Sequence, residues 1–164
     1  MKISQKCEEL LKGIEVLALQ PYNDQVGIKS APIKEWCKGA TIGYGYLISK
    51  EEWAKYKDGI TKQQADELFR NKIGRYEKSV DNSVRVTLSQ QQFDACVMLC
   101  YNIGTKGFET SSVCKILNGQ KTQYTDLDSA WLSWNKSQGK VMNGLNNRRK
   151  SELKVYHEGV YERW

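Results

Sequence analysis

The hydrophobic period of this chain changes twice, and that change constrains its fold more than any other feature. From residue 3 the apolar positions Ile3, Cys7, Leu10, Leu11, Ile14, Leu17 and Ala18 recur every three or four residues, the spacing of one helix face. Between Tyr22 and Ile48, glycine, aromatic and β-branched residues accumulate. There Ala40, Ile42, Tyr44, Tyr46 and Ile48 alternate with Thr41, Gly43, Gly45 and Leu47, the two-residue period of a small antiparallel sheet. Beyond residue 61 helical spacing returns. A chain with these periods in separate blocks belongs to the α+β class, with helices dominating.

End signals divide the blocks. Ser4 is an N-cap for the first helix, Glu8 and Glu9 suit its first turn, and Pro21 ends it. Ser49 and Thr61 read as further N-caps. Thr61 with Gln64 forms a capping box opening a long polar helix to about Ser79, despite Gly74. Ser89 with Gln92 opens another, apolar at Phe93, Cys96, Val97, Cys100 and Tyr101 and ending near Gly104. Three more helices are expected at 112–118, at 127–136 with Trp131 and Trp134, and at 146–157, closed by Gly119, Gly139 and Gly159. The C-terminal half then reads as all helix. The expected organisation is one two-lobed unit: an N-terminal lobe over about 12–60, a connecting helix over about 61–80, and a helical lobe over about 81–164 that includes the first helix.

The balance of 25 Lys+Arg against 19 Asp+Glu gives a net charge of +6, which suits polyanionic surroundings such as nucleic acid, anionic lipid or a bacterial envelope. No basic run exceeds Arg148-Arg149-Lys150 and no zinc-finger or RNP-like spacing occurs, so nucleic acid is not an expected partner. The first residues lack the apolar stretch of a signal peptide, and no apolar run of roughly 18 residues exists. Synthesis in the cytoplasm without stable membrane insertion follows as an expectation. Five cysteines at irregular spacing suit a reducing compartment.

Few groups in the chain can do chemistry. His157 is the single histidine, and its place near a helix end fits a helix-terminal cation as well as a catalytic base. Cys96, Cys100 and Cys114 with His157 would be the only zinc set, yet an i, i+4 cysteine pair on an apolar face is ordinary core packing. The glycines of GATIGYG lack the ending of a phosphate loop. No metal or cofactor is therefore expected. Glu15 lies on the edge of the first apolar stripe, four residues after Leu11. A carboxyl held away from water in this way keeps its proton more readily, as a general acid must; a paired structural glutamate is the alternative. Asp24, after Pro21 has turned the chain, can supply a second carboxylate or simply a turn residue. Thr41, flanked on its own face by Gly43 and Gly45, can hold a water or serve as a strand former.

These residues together resemble the phage-type lysozymes of glycoside hydrolase family 24. The likeness rests on Glu15, Tyr22, Asp24, Gly27 and the Thr41-Ile42-Gly43-Tyr44-Gly45 turn. It continues in LSQQQFDACVMLCYNIGTKGF at 88–108 and WNKSQGKVMNGLNNRRKSEL at 134–153. The resemblance implies a two-lobed lysozyme-like fold and a muramidase acting on bacterial peptidoglycan. Such an enzyme hydrolyses, with inversion, the β-1,4 bond from N-acetylmuramic acid to N-acetylglucosamine, for cell lysis. It makes Glu15 the catalytic acid, Asp24 the carboxylate that orients or deprotonates water, and Thr41 the residue that helps hold that water. Tyr44, Leu47, Tyr101, Asn102 and Phe108 would line sugar subsites, and Arg148 would pair with Glu15.

The sequence departs from the family pattern in three places. Val16 replaces a glycine, Tyr46 replaces a histidine, and a long charged arm, QVGIKSAPIKEWCKGA, separates Asp24 from Thr41. A monomer is expected, reaching periplasmic peptidoglycan after release through a pore or by injection. A lytic transglycosylase and an inactive peptidoglycan-binding module are the alternative readings.

Overall fold

A computed structural model of the chain describes residues 1–26 and 31–164. Gly27 and the middle of the arm lie outside the described residues. The backbone divides into two compact units, residues 12–72 and residues 1–11 with 73–164. Two helices, α1 (Gln5–Ile14) and α3 (Lys62–Ser83), contribute to both.

In the 12–72 unit a three-stranded antiparallel sheet, in the order β1 (Ala18–Asn23), β2 (Ala40–Gly43), β3 (Tyr46–Leu47), packs with the short helix α2 (Trp53–Tyr56) and the first half of α3. The expected sheet is present, but the first helix stops earlier than its apolar period suggests. Leu17 lies outside it and Ala18 already pairs with Gly43. Pro21 therefore does not end a helix. It sits in β1, an edge strand with an irregular register between Ala18 and Tyr22, where a missing N–H costs no ladder bond. Ala40, Ile42, Ile48 and Tyr56 form the core, with Ile33, Trp36 and Cys37 of the arm packed against them. Trp36 Nε1 donates to the Ile48 carbonyl at 2.9 Å. The described end of the arm thus closes the small core instead of projecting from it.

Of the N-caps read from sequence, Ser4, Thr61 and Ser89 are present, whereas the N-cap of α2 is Glu52 and not Ser49. Thr61 and Gln64 bond reciprocally, Gln64 N–H to Thr61 Oγ1 at 3.1 Å and Thr61 N–H to Gln64 Oε1 at 2.8 Å. Ser89 and Gln92 do the same at the start of α4 (Gln90–Ile103). Ser49 caps a turn through Glu52, and Ser4 accepts from the Cys7 N–H.

In the second unit α4 is the central helix and is buried from Phe93 to Cys100. Around it come α5 (Thr105–Glu109), α6 (Ser112–Leu117), α7 (Leu127–Leu132) and α8 (Asn143–Glu158). The expectation of an all-helical C-terminal half is corrected by a two-stranded hairpin, β4 (Lys136–Ser137) and β5 (Lys140–Val141). Gly139 caps no helix but turns this hairpin together with Gln138, both at positive φ (79° and 51°), as a two-residue hairpin loop requires. The helix expected at 127–136 ends at Leu132 for the same reason.

Two buried polar centres hold this unit. Asp94 accepts from the Ser4 N–H and hydroxyl, Gln90 Nε2 and the Tyr161 hydroxyl, joining both ends of the unit to α4. Arg149 and Glu152, both fully buried, lie 2.8 Å apart. Glu152 also accepts from Trp131 Nε1, while Arg149 donates to the Trp134 carbonyl and Asn102 Oδ1. Burial pushes the Glu152 carboxyl up, opposed by Arg149, Arg148 and Trp131. Removing one partner strands the other charge in a dry core. Arg149→Met should therefore lower unfolding free energy by about 3–5 kcal/mol in urea denaturation, and a loss below about 1 kcal/mol would show that the pair is not the anchor described.

Candidate active site

Glu15 follows the last residue of α1, so it leaves a helix end and not a helix edge. Its side chain is half-buried and folds over the turn between β2 and β3. At Gly45, with φ +76°, an ideal Cβ would stand 2.5 Å from Glu15 Oε2. The carboxylate thus occupies the space a side chain at 45 would take, and positive φ independently favours glycine there.

Asp24 and Thr41 meet at Gly39. The Gly39 carbonyl accepts from the Asp24 N–H at 3.0 Å and from the Thr41 hydroxyl at 2.9 Å. An ideal Cβ on Gly39 would stand 2.5 Å from Asp24 Oδ1. The strand register Tyr22↔Thr41 and Asn23↔Ala40 fixes this arrangement however long the intervening arm is. Thr41 is buried and Asp24 exposed. Tyr22 joins the two carboxylates electrically: its phenol is pushed above its ordinary value by burial first, then by the charges of Glu15 and Asp24. Glu15, Asp24 and Thr41 are thus gathered around one sheet, and Tyr22, Gly39 and Gly45 complete the group.

The other expected residues are placed less uniformly. Leu47, 58% exposed on β3, offers an apolar surface, whereas Tyr44 is 8% exposed and sets its ring edge against Phe69. Tyr101, Asn102, Phe108 and Arg148 belong to the other unit. Tyr101 packs edge-on to Tyr76, and Asn102 is exposed. Phe108 is 0% exposed, so the expectation that it lines a sugar subsite is corrected: it is a core residue with no surface for a ligand. Arg148 lies 3.4 Å from Glu152 and stacks its guanidinium 4.7 Å from the Trp164 ring. The arginine at the centre of that cluster is Arg149, which the sequence reading passed over. Its spacing of four from both Leu145 and Leu153 is the signal that could have marked it as inward-facing.

The remaining nucleophiles are committed elsewhere. Cys7, Cys96, Cys100 and Cys114 are buried, and burial raises all four thiols, Cys100 to about 11. His157 pairs with Asp128 at 2.7 Å on the surface. Among the described residues, His, Cys, Asp and Glu form no group of three that could hold a metal ion.

A carboxyl at a helix end thus rests on a glycine turn of a small sheet. The family model described as phage lysozyme matches residues 12–152, and the chain belongs to that family. It is 35% identical over 160 residues to an endolysin of Bacillus phage PZA, covering 98% of this chain and 57% of that protein; the chain thus spans little more than half of that relative's length. Among solved structures, an endolysin from Escherichia coli O157:H7 phage FAHEc1 superposes with TM-score 0.74 at 29% identity, covering 99% of this chain and 98% of that one. The muramidase domain of SpmX from Asticaccaulis excentricus gives TM-score 0.70 at 30% identity, with 95% and 97% covered.

Gly45→Ala should displace the Glu15 carboxylate, seen as a shifted Glu15 side-chain carboxyl 13C resonance, and cost about 1–2 kcal/mol of stability from the left-handed backbone. An unmoved resonance would contradict the packing. Nearby, Asp66 accepts from Lys12 at 3.0 Å and from Lys62 at 3.2 Å. Lys12 chiefly holds its carboxyl below the ordinary aspartate range. This contribution is present above pH ~4 and is lost as pH falls through the depressed value. Asp66→Asn should therefore flatten the acid limb of the stability curve, by well under about 1 kcal/mol for so exposed a group; an unchanged acid limb would remove the assignment.

Proposed function

We propose that this chain is a muramidase that hydrolyses the β-1,4 bond between N-acetylmuramic acid and N-acetylglucosamine in bacterial peptidoglycan. The observation that carries the reading is the gathering of Glu15, Asp24 and Thr41 around one sheet, with Tyr22 near both carboxyl groups, in a member of the phage lysozyme family.

In this reading Glu15 is the acid. It gives its proton to the glycosidic oxygen as the bond from C1 breaks, so that the leaving sugar departs as an alcohol. Asp24 accepts a proton from a water that attacks C1 from the opposite face, which inverts the anomeric centre. Thr41 donates its own hydrogen to Gly39, leaving its oxygen as an acceptor for that water. The exposed Leu47 and Asn102 suit the apolar faces and amides of sugar rings. Tyr44 would support the subsite at Leu47, and Tyr101 the one at Asn102. All chemistry is done by side chains, without metal or cofactor.

Bacterial peptidoglycan is the partner in this reading, met by a monomer after release through a pore or by injection from the cytoplasm in which the chain is made. Among the described residues no helix is long and apolar enough to cross a membrane.

Incubating wild type and Glu15→Gln with chloroform-permeabilised Gram-negative cells and identifying the released sugar ends by mass spectrometry tests the reading. Wild type should release reducing muramic ends, and the variant should be slower by about 10²–10⁴-fold, the range for loss of a general acid. Anhydro ends would mean a transglycosylase instead, which Asp24 argues against, and no release from wild type would mean a wall-binding module.

A further inference from the structure

We propose that Lys72 is a positioning residue for the Glu15 carboxylate, acting through the Gly45 peptide; the inference rests on the muramidase reading for its effect on rate. Ala65, Phe69 and Lys72 stand at i, i+4 and i+7 on α3, hence on one face. Three consecutive turn residues meet that stripe in order. An ideal Cβ on Gly43 would lie 3.6 Å from Ala65 Cβ. The Tyr44 ring meets Phe69 edge-on with centroids 6.0 Å apart. Lys72 Nζ donates to the Gly45 carbonyl at 3.2 Å. Lys12 strengthens the same face, its Nζ 5.4 Å from both the Tyr44 and Phe69 ring centroids.

The third contact matters most for chemistry. Gly43 and Gly45 bracket the turn at φ +67° and +76°, and glycine is the residue with the widest backbone freedom. Packing of its ring against Phe69 fixes Tyr44, but Gly45 has no side chain to pack. Its peptide is held from outside, and the Lys72 ammonium grips its carbonyl while Glu15 Oε2 rests against its Cα side. Without that grip the Gly45 peptide can rotate, and the surface that orients the Glu15 carboxyl moves with it. Misplacement of a catalytic group by about 1 Å is enough to slow a reaction up to about 10²-fold while leaving remote binding intact.

The test compares wild type, Lys72→Met, Lys72→Arg and Glu15→Gln on soluble peptidoglycan fragments, together with thermal midpoints and the Glu15 side-chain carboxyl 13C resonance. Lys72→Met should lose roughly tenfold in kcat with KM unchanged within about twofold, keep its thermal midpoint and shift the Glu15 resonance. Lys72→Arg, which can still donate to the carbonyl, should restore most of the rate. Full kcat in Lys72→Met, a loss that falls on KM, a loss matched by a lowered midpoint, or an arginine variant as slow as the methionine one would each overturn the proposal. Failure of the muramidase reading looks different: wild type then releases no reducing ends, or Glu15→Gln matches it. In that event the Glu15 resonance, which needs no substrate, still reports on Lys72, and its invariance in Lys72→Met would overturn the contact itself.

Discussion

The turn at Gly43–Gly45 depends on the absence of two side chains, and much of the 12–72 unit is arranged around that absence. A β-carbon at 45 would collide with the Glu15 carboxylate, and one at 43 would strain a backbone held at φ +67°. Because both positions are bare, β2 and β3 can reverse tightly against α3 and bring Thr41 next to Tyr22 and Leu47 in register. The carboxyl that follows α1 then rests on that turn, which limits how far it can wander.

The second unit is organised by buried charge instead of bare backbone. Arg149 and Glu152 carry opposite charges in the core, and each bonds neighbours from α4, α7 and α8 or the segments beside them. An apolar pair would pack there without demanding so specific an arrangement. The Arg–Glu pair demands that Trp131, Trp134 and Asn102 all arrive in place, which ties the exposed Asn102 to the interior through Arg149. Asp94 does comparable work for Ser4 and Tyr161.

The charged arm changes meaning once its packing is known. Trp36 and Cys37, half-buried, pack against the core of the sheet unit, and Trp36 bonds to Ile48, just past β3. The small sheet has few apolar residues of its own, so an added tryptophan makes up volume that a three-stranded layer lacks. Asp24 and Gly39 are joined by a backbone hydrogen bond, so the register of Tyr22 with Thr41 holds on either side of the arm.

Local chemistry was readable from the amino-acid order alone. The boxes Thr61–Gln64 and Ser89–Gln92 involve groups three residues apart, so the sequence contains the whole interaction. The alternation at 40–48 likewise announced a sheet, and the blocks around Glu15, Asp24 and Thr41 marked the groups of the candidate site. What remained hidden involved partners far along the chain. The end of α1 is decided by pairing of Ala18 with Gly43, which outweighs an apolar period that would continue the helix. Phe108 reads as a surface aromatic until the helices close over it, and Arg149 as one of two equivalent arginines until helix phase and Glu152 single it out. The sequence determined which groups could do the chemistry and where most helices begin, because those depend on residue type and short spacing. Only tertiary structure decided which were buried, which faced the site and what held them, because burial and long-range pairing are properties of the folded chain as a whole.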